Sequence, residues 1–106
     1  MSGDAEQRYR ALAEELSVSA GVTPSKMFGM PTLKAGSKAF AGLFHDAMVF
    51  RLGGEAHGRA LKLAGAHLFD PSGMNRPMKE WVVVPPEHAE LWDGFARDAL
   101  GYLRGG

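Results

Sequence analysis

The feature that most constrains this chain is a hydrophobic period that changes twice. Both ends repeat apolar residues at helical spacing. The stretch between them is cut by Gly and Pro into short runs of strand character. At the N-terminal end, Ala5, Tyr9, Leu12 and Leu16 fall on one helical stripe. Ser2 is placed to cap that helix, and Asp4 and Glu6 sit where the helix dipole favours anions. The helix must stop before Gly21, because Pro24 forbids its continuation. At the C-terminal end, Leu91, Trp92, Phe95, Ala99, Tyr102 and Leu103 form a second, wide stripe, with Asp93 and Arg97 spaced to pair on its polar side.

Between these helices, Thr32-Leu33-Lys34 and Lys38 to Phe44 read as a hairpin about Gly36. His45-Asp46 marks a second turn, and Ala47 to Leu52 is the next strand. Period-two alternation assigns Phe40, Gly42 and Phe44 to one face. Gly53-Gly54 breaks the sheet, and residues 55–64 read as a short helix with Gly65 at its C′ position. Residues 66–77 read as a loop, with turn residues Asp70-Pro71-Ser72-Gly73. Met78 to Val84 reads as a strand buried on both faces, closed by Pro85-Pro86.

The order α-β-β-β-α-β-α contains no run of βαβ units. It predicts a two-layer α+β domain, an antiparallel sheet of about four to five strands with helices on one face. With 106 residues, the chain is expected to be one domain, 1–106. Its 45% apolar residues exclude disorder as the main state. No apolar run approaches the roughly 20 residues needed to span a bilayer. Cys is absent, which excludes disulfides, thiolate metal sites and cysteine nucleophiles. With no secretory signal pattern either, a cytoplasmic location is expected.

The net charge is zero but unevenly spread. Residues 1–25 carry −2, residues 26–79 carry +5 and residues 80–106 carry −3. A basic middle between acidic ends reads either as an electrostatic footprint for an anionic partner or as a solvated sheet complemented by acidic helices. The second reading is favoured, since strong nucleic-acid binders are basic overall.

Catalytic signatures are missing. Gly53 to Gly58 is Gly-rich but lacks both the dinucleotide and the P-loop spacing. His45, His57, His67 and His88 never pair at ligand spacing. No Ser sits in a nucleophile elbow. Glu80, Glu87 and Glu90 read as solvated positions rather than an acid–base pair. The expectation is a domain that is not an enzyme and needs no metal or cofactor.

The runs Lys26-Met27-Phe28-Gly29-Met30-Pro31, Gly36-x-Lys38-x-Phe40, Phe69-Asp70-Pro71 and Arg76-Pro77-Met78-Lys79-Glu80-Trp81-Val82 resemble the N-terminal domain of the TfoX/Sxy family of competence regulators over about residues 8–104. Gly-Met-Pro-Thr also resembles small bacterial domains of the YdhG and YjbR (MmcQ-like) type, whose two-layer architecture is described as secretion-chaperone-like. The TfoX/Sxy resemblance implies a transcriptional co-regulator that works with the cyclic-AMP receptor protein. It supplies no catalytic residues. Full members carry a second, C-terminal helical domain of helix-hairpin-helix-like character, so the expectation is the N-terminal domain alone.

Two surfaces are singled out. The first is where the segment 27–31 meets the segment 71–81: Met27, Phe28, Gly29, Met30, Pro31, Met74, Arg76, Lys79 and Trp81. Gly and Pro fix these backbones in turn-like geometry, and Met, Arg and Trp suit interfaces. The competing account, which is favoured, has Phe28, Met78 and Trp81 closing one end of the core. The expected partner is another protein, such as a transcription factor, or a second copy of the chain, with no membrane involved. The second surface comprises Lys26, Lys34 and Lys38 as anion contacts of a nucleic-acid-binding module, with Arg76 and Lys79 adding to it.

Overall fold

The N-terminal stripe folds as α1 (Ser2–Ala20), which already includes Ser2. Ala5, Tyr9, Leu12 and Leu16 are all buried on its inner side. The computed structural model describes residues 2–27, 29–70, 73 and 77–104. Six strands follow in one antiparallel sheet: β1 (Thr23–Met27), β2 (Met30–Ala35), β3 (Lys38–Phe44), β4 (Ala47–Arg51), β5 (His67–Phe69) and β6 (Met78–Val84). Their spatial order is β1-β2-β3-β4-β6-β5. The first four form a meander, since two-residue connections can join only antiparallel neighbours. Gly36 has φ +67 and His45 has φ +57 in two of these turns, the left-handed backbone that tight hairpins need. Between β4 and β5 runs α2 (Gly54–Leu61), and β6 leads through a 3₁₀ segment (Pro86–Leu91) into α3 (Trp92–Leu103).

The fold class is α+β, with the helices on one face of the sheet. The large core on that face joins Leu12 and Leu16 of α1, Phe40 of β3, Phe50 of β4, Val82 of β6 and Trp92 and Phe95 of α3. The Trp92 indole donates to Val84 O at 3.2 Å, so its one polar atom is satisfied in the interior. A second, smaller cluster lies on the opposite face: Met30, Ala47, Val49, Phe69, Trp81 and Val83. Val82 and Val84 point to the first cluster and Val83 to the second, so β6 is buried on both sides as its Val run predicts. Among the described residues, no helix is long and apolar enough to cross a membrane.

Five expectations are corrected. The sheet has six strands rather than four to five, and the order is α-β-β-β-β-α-β-β-α with the 3₁₀ segment before α3. Strand β1 contains Pro24, which reads as a breaker but is tolerated at a sheet edge. Strand β5 is only three residues long, too short to show a period. Phe40, Gly42 and Phe44 do not share a face: Leu33 pairs with Ala41 and Lys34 with Ala39, so Phe40 is the extra residue of a β-bulge. The bulge puts Phe40, Ala41 and Leu43 toward the helices and Phe44 toward the other side. Finally, α2 ends at Leu61 with Lys62 as its C-cap, so Gly65 lies in the following turn and not at C′.

Candidate interaction surface

Two of the sequence-predicted surface residues belong to one cluster. Met30 of β2 and Trp81 of β6 share the second cluster, although β3 and β4 separate their strands. Gly42 of β3 permits this: a Cβ there would lie 2.9 Å from the Met30 Cε, so the thioether lies across β3 where a side chain would stand. Met30 and Trp81 are both 6% exposed, so they pack inward rather than face a partner. Gly29, Pro31 and Lys79 are exposed around them. The Lys79 carbonyl receives His57 Nε2 at 2.7 Å. A carbonyl can only accept, so Nε2 carries the proton. The Met27 side chain, Phe28, Met74 and Arg76 lie outside the described residues.

The three lysines divide between the two faces. Lys34 pairs with Ala39, which packs on the second cluster, so Lys34 stands on the helix-free face. Lys38 pairs with Ala35, which packs on the main core. Lys26 pairs with Pro31, one residue out of phase with Met30, and so shares the helix side with Lys38. Lys26 has a further role at the edge. A two-residue connection makes Met27–Met30 the pair that closes the turn, so alternation directs the backbones of Pro24 and Lys26 toward the open side of β1. Pro withholds a donor there and Lys supplies a charge, both of which discourage a further strand from pairing.

The acidic ends of the sequence come together in space. Segment 1–25 supplies α1, and segment 80–106 supplies the 3₁₀ segment and α3 beside it. Arg8 Nη1 donates to Ala89 O at 3.3 Å, tying the two walls. Arg97 pairs with Asp93 at 3.3 Å, as its spacing predicts, and also with Glu15 across the gap. Between the walls runs a groove of two adjoining hollows, about 200 and 400 Å³, which share Arg8, Ala89, Glu90 and Trp92. Ala11 and Leu12 add to its apolar lining, and Glu15, Glu87, Glu90 and Asp93 edge it. Sequence reasoning read several of these residues singly but did not bring them together as a surface. The available signal was the net acidity of both terminal segments, which becomes informative only once they are known to be neighbours.

A second polar cluster sits where α2 and α3 reach the start of β6. Arg51 Nε donates to Glu80 Oε1 at 2.8 Å, and the Tyr102 hydroxyl donates to Glu80 Oε2 at 3.2 Å. The Arg51 hydrogen bond first, and then that of Tyr102, hold the Glu80 carboxyl below its ordinary range. Glu80 therefore lies at the beginning of β6, and Glu87 and Glu90 lie beyond its end. Glu80 is thus set apart from Glu87 and Glu90, which line one hollow. His67 Nδ1 meets Gly65 O at 3.1 Å, and His88 Nε2 meets Ala64 O at 3.0 Å. Burial pushes the Tyr9 phenol up to about 12. Among the described residues, no group of three or more His, Asp or Glu is arranged to hold a metal ion.

Comparison with protein-family models, with curated proteins and with solved structures gave no match to this chain.

Proposed function

We propose that this chain is a non-enzymatic regulatory or protein-interaction domain of the TfoX N-terminal type, cytoplasmic, whose partner is another protein. The observation that supports this reading is the groove along α1. Its smaller hollow is lined mostly by apolar atoms and its larger one mostly by polar atoms, and its walls are two packed segments of the helix layer. That arrangement suits a peptide segment, where buried apolar contact supplies affinity and rim charges set specificity. The polar cluster about Glu80 fits this reading: hydrogen bonds from Arg51 and Tyr102 favour the ionised carboxylate and so weaken it as a base.

Chemical crosslinking in cell lysate, with the crosslinked residues mapped by mass spectrometry, tests this proposal. The expected result is one recurrent protein partner or a second copy of the chain. Turnover of a small molecule with no protein partner would sink it. The nucleic-acid reading is less supported, because Lys34 and Lys38 lie on opposite faces and offer no single track for a phosphate backbone. Duplex titration at rising salt separates the two: DNA binding would weaken with a log–log slope near −0.9 per phosphate neutralised.

A further inference from the structure

We infer that the groove along α1 receives a cationic, amphipathic segment of a partner protein. This rests on the interaction reading above and names the partner's chemistry. Two cations, Arg8 and Arg97, stand against four carboxylates, Glu15, Glu87, Glu90 and Asp93. Arg97 is shared between Glu15 and Asp93, and Arg8 donates to Ala89 O. The groove's anions are not balanced. Glu90 makes no ion pair among the described residues, and Glu87 has only His88, at 3.9 Å. Both walls also belong to segments of net negative charge, −2 and −3. An occupant bearing Lys or Arg relieves their mutual repulsion, whereas a neutral or acidic one leaves it standing.

The smaller hollow gives the same occupant an apolar contact: Ala11, Leu12, Ala89 and Trp92 line it, and its volume of about 200 Å³ suits one or two aliphatic side chains. A second copy does not meet these demands. A twofold contact places the same patch on both partners, which here sets acidic rim against acidic rim. The sheet edges offer no competing site: β1 carries Pro24 and Lys26 toward its open side, and β5 is three residues long.

The test uses the full chain and fluorescence anisotropy with two labelled 16-residue probes, a Lys/Leu amphipathic helix and its Glu/Leu counterpart. The cationic probe is expected to bind at physiological salt, roughly 0.15 M, and the acidic one not to. Glu90→Lys and Ala11→Lys, both at exposed positions, should each weaken binding about tenfold while leaving the unfolding midpoint in place. Glu55→Lys on α2 changes the net charge by the same amount as Glu90→Lys and should alter affinity by less than about twofold. The inference is overturned if the cationic probe does not bind, if the acidic probe binds as well, or if Glu55→Lys weakens binding as much as Glu90→Lys. A carbodiimide, which joins carboxylates directly to lysines, then reads the natural partner. Crosslinks from Glu90 or Asp93 to a Lys-bearing partner segment support the groove. Crosslinks confined to another surface overturn the groove but leave the interaction reading intact, and turnover of a small molecule without any partner overturns both.

Discussion

The two faces of the sheet are buried by different means. On one side, three helices bring Leu16, Ala60, Trp92 and Phe95 to the core that holds Phe40 and Phe50. On the other, the described members of the cluster all come from strands, and Phe69 and Met78, which belong to it, flank the connection 70–77. Exposure does not separate the two: Val49 is as inaccessible on the second face as Phe50 is on the first. A sheet face on which no described helix packs can therefore still behave as core. The most direct way to break the comparison is truncation on each side. Phe50→Ala and Trp81→Ala are each expected to cost about 3–5 kcal/mol in urea unfolding, since both rings are nearly fully buried. If Trp81→Ala costs less than about 1.5 kcal/mol while Phe50→Ala costs the full amount, the second face is a surface after all.

Glycines sharpen the contrast, because each face uses one to admit a neighbour. On the second face a Cβ at Gly42 would stand 2.9 Å from Met30 Cε and 3.0 Å from the Pro31 carbonyl oxygen. The methyl can move but the backbone cannot, so Gly42→Ala should destabilise by about 1–3 kcal/mol. On the helix side, a Cβ at Gly53 would fall 2.2 Å from the Tyr102 ring. That ring is 38% exposed and free to swing outward. Gly53→Ala should thus cost only about 1 kcal/mol, chiefly the Tyr102–Glu80 hydrogen bond. Equal costs for both would mean that Tyr102 is held as firmly as the sheet backbone.

The helix face was the more legible of the two in the sequence. The stripes of α1 and α3 declare their inner sides, and Trp92, Phe95 and Ala99 are buried as those stripes require. Leu91 and Tyr102 belong to the same stripe yet remain 39% and 38% exposed, and Leu91 falls in the 3₁₀ segment ahead of α3. The second face was legible only through Val82-Val83-Val84. Its assembly depends on the bulge at Phe40, which no local residue announces, and on Pro24 standing at an edge, which topology alone decides. The groove was hidden for the same reason. Arg8, Glu15 and Glu90 are unremarkable charges until the two ends of the chain lie side by side.

Thr32 offers a test confined to the helix-free side. It is fully buried in β2, and its Oγ1 has no hydrogen-bond partner among the described residues. A hydroxyl stripped of water and left unpaired is a net cost of about 1–3 kcal/mol, whereas a methyl in the same place is not. Thr32→Val keeps the shape and the β-branched backbone preference. It is expected to stabilise the domain by about 1 kcal/mol, visible as a rise of several degrees in Tm. A loss of stability instead would place an unseen polar partner at this position.

The smallest expected effect lies at the rim where the two layers join. Glu80 ties β6 to Arg51 of β4 and to Tyr102 of α3, and these bonds favour its charged form. A carboxyl whose folded pKa is lowered adds stability above its unfolded pKa, near 4.5, and that stability is lost as pH falls through the folded value. Glu80→Gln removes the charge at every pH. The wild type should therefore exceed the variant by its largest margin near neutral pH, and the margin should close below about pH 4.5. With the Glu80 side chain 48% exposed and the Arg51 side chain 32%, solvent screens the pair, and the neutral-pH margin should stay within roughly 0.2–1 kcal/mol. Urea midpoints for both proteins across pH 3 to 7 measure it. A margin that stays constant through that range would mean the carboxyl acts as a neutral hydrogen-bond acceptor and the ion pair with Arg51 contributes nothing. A margin that widens in acid would reverse the sign of the linkage and require Glu80 to be protonated more readily when folded than when unfolded.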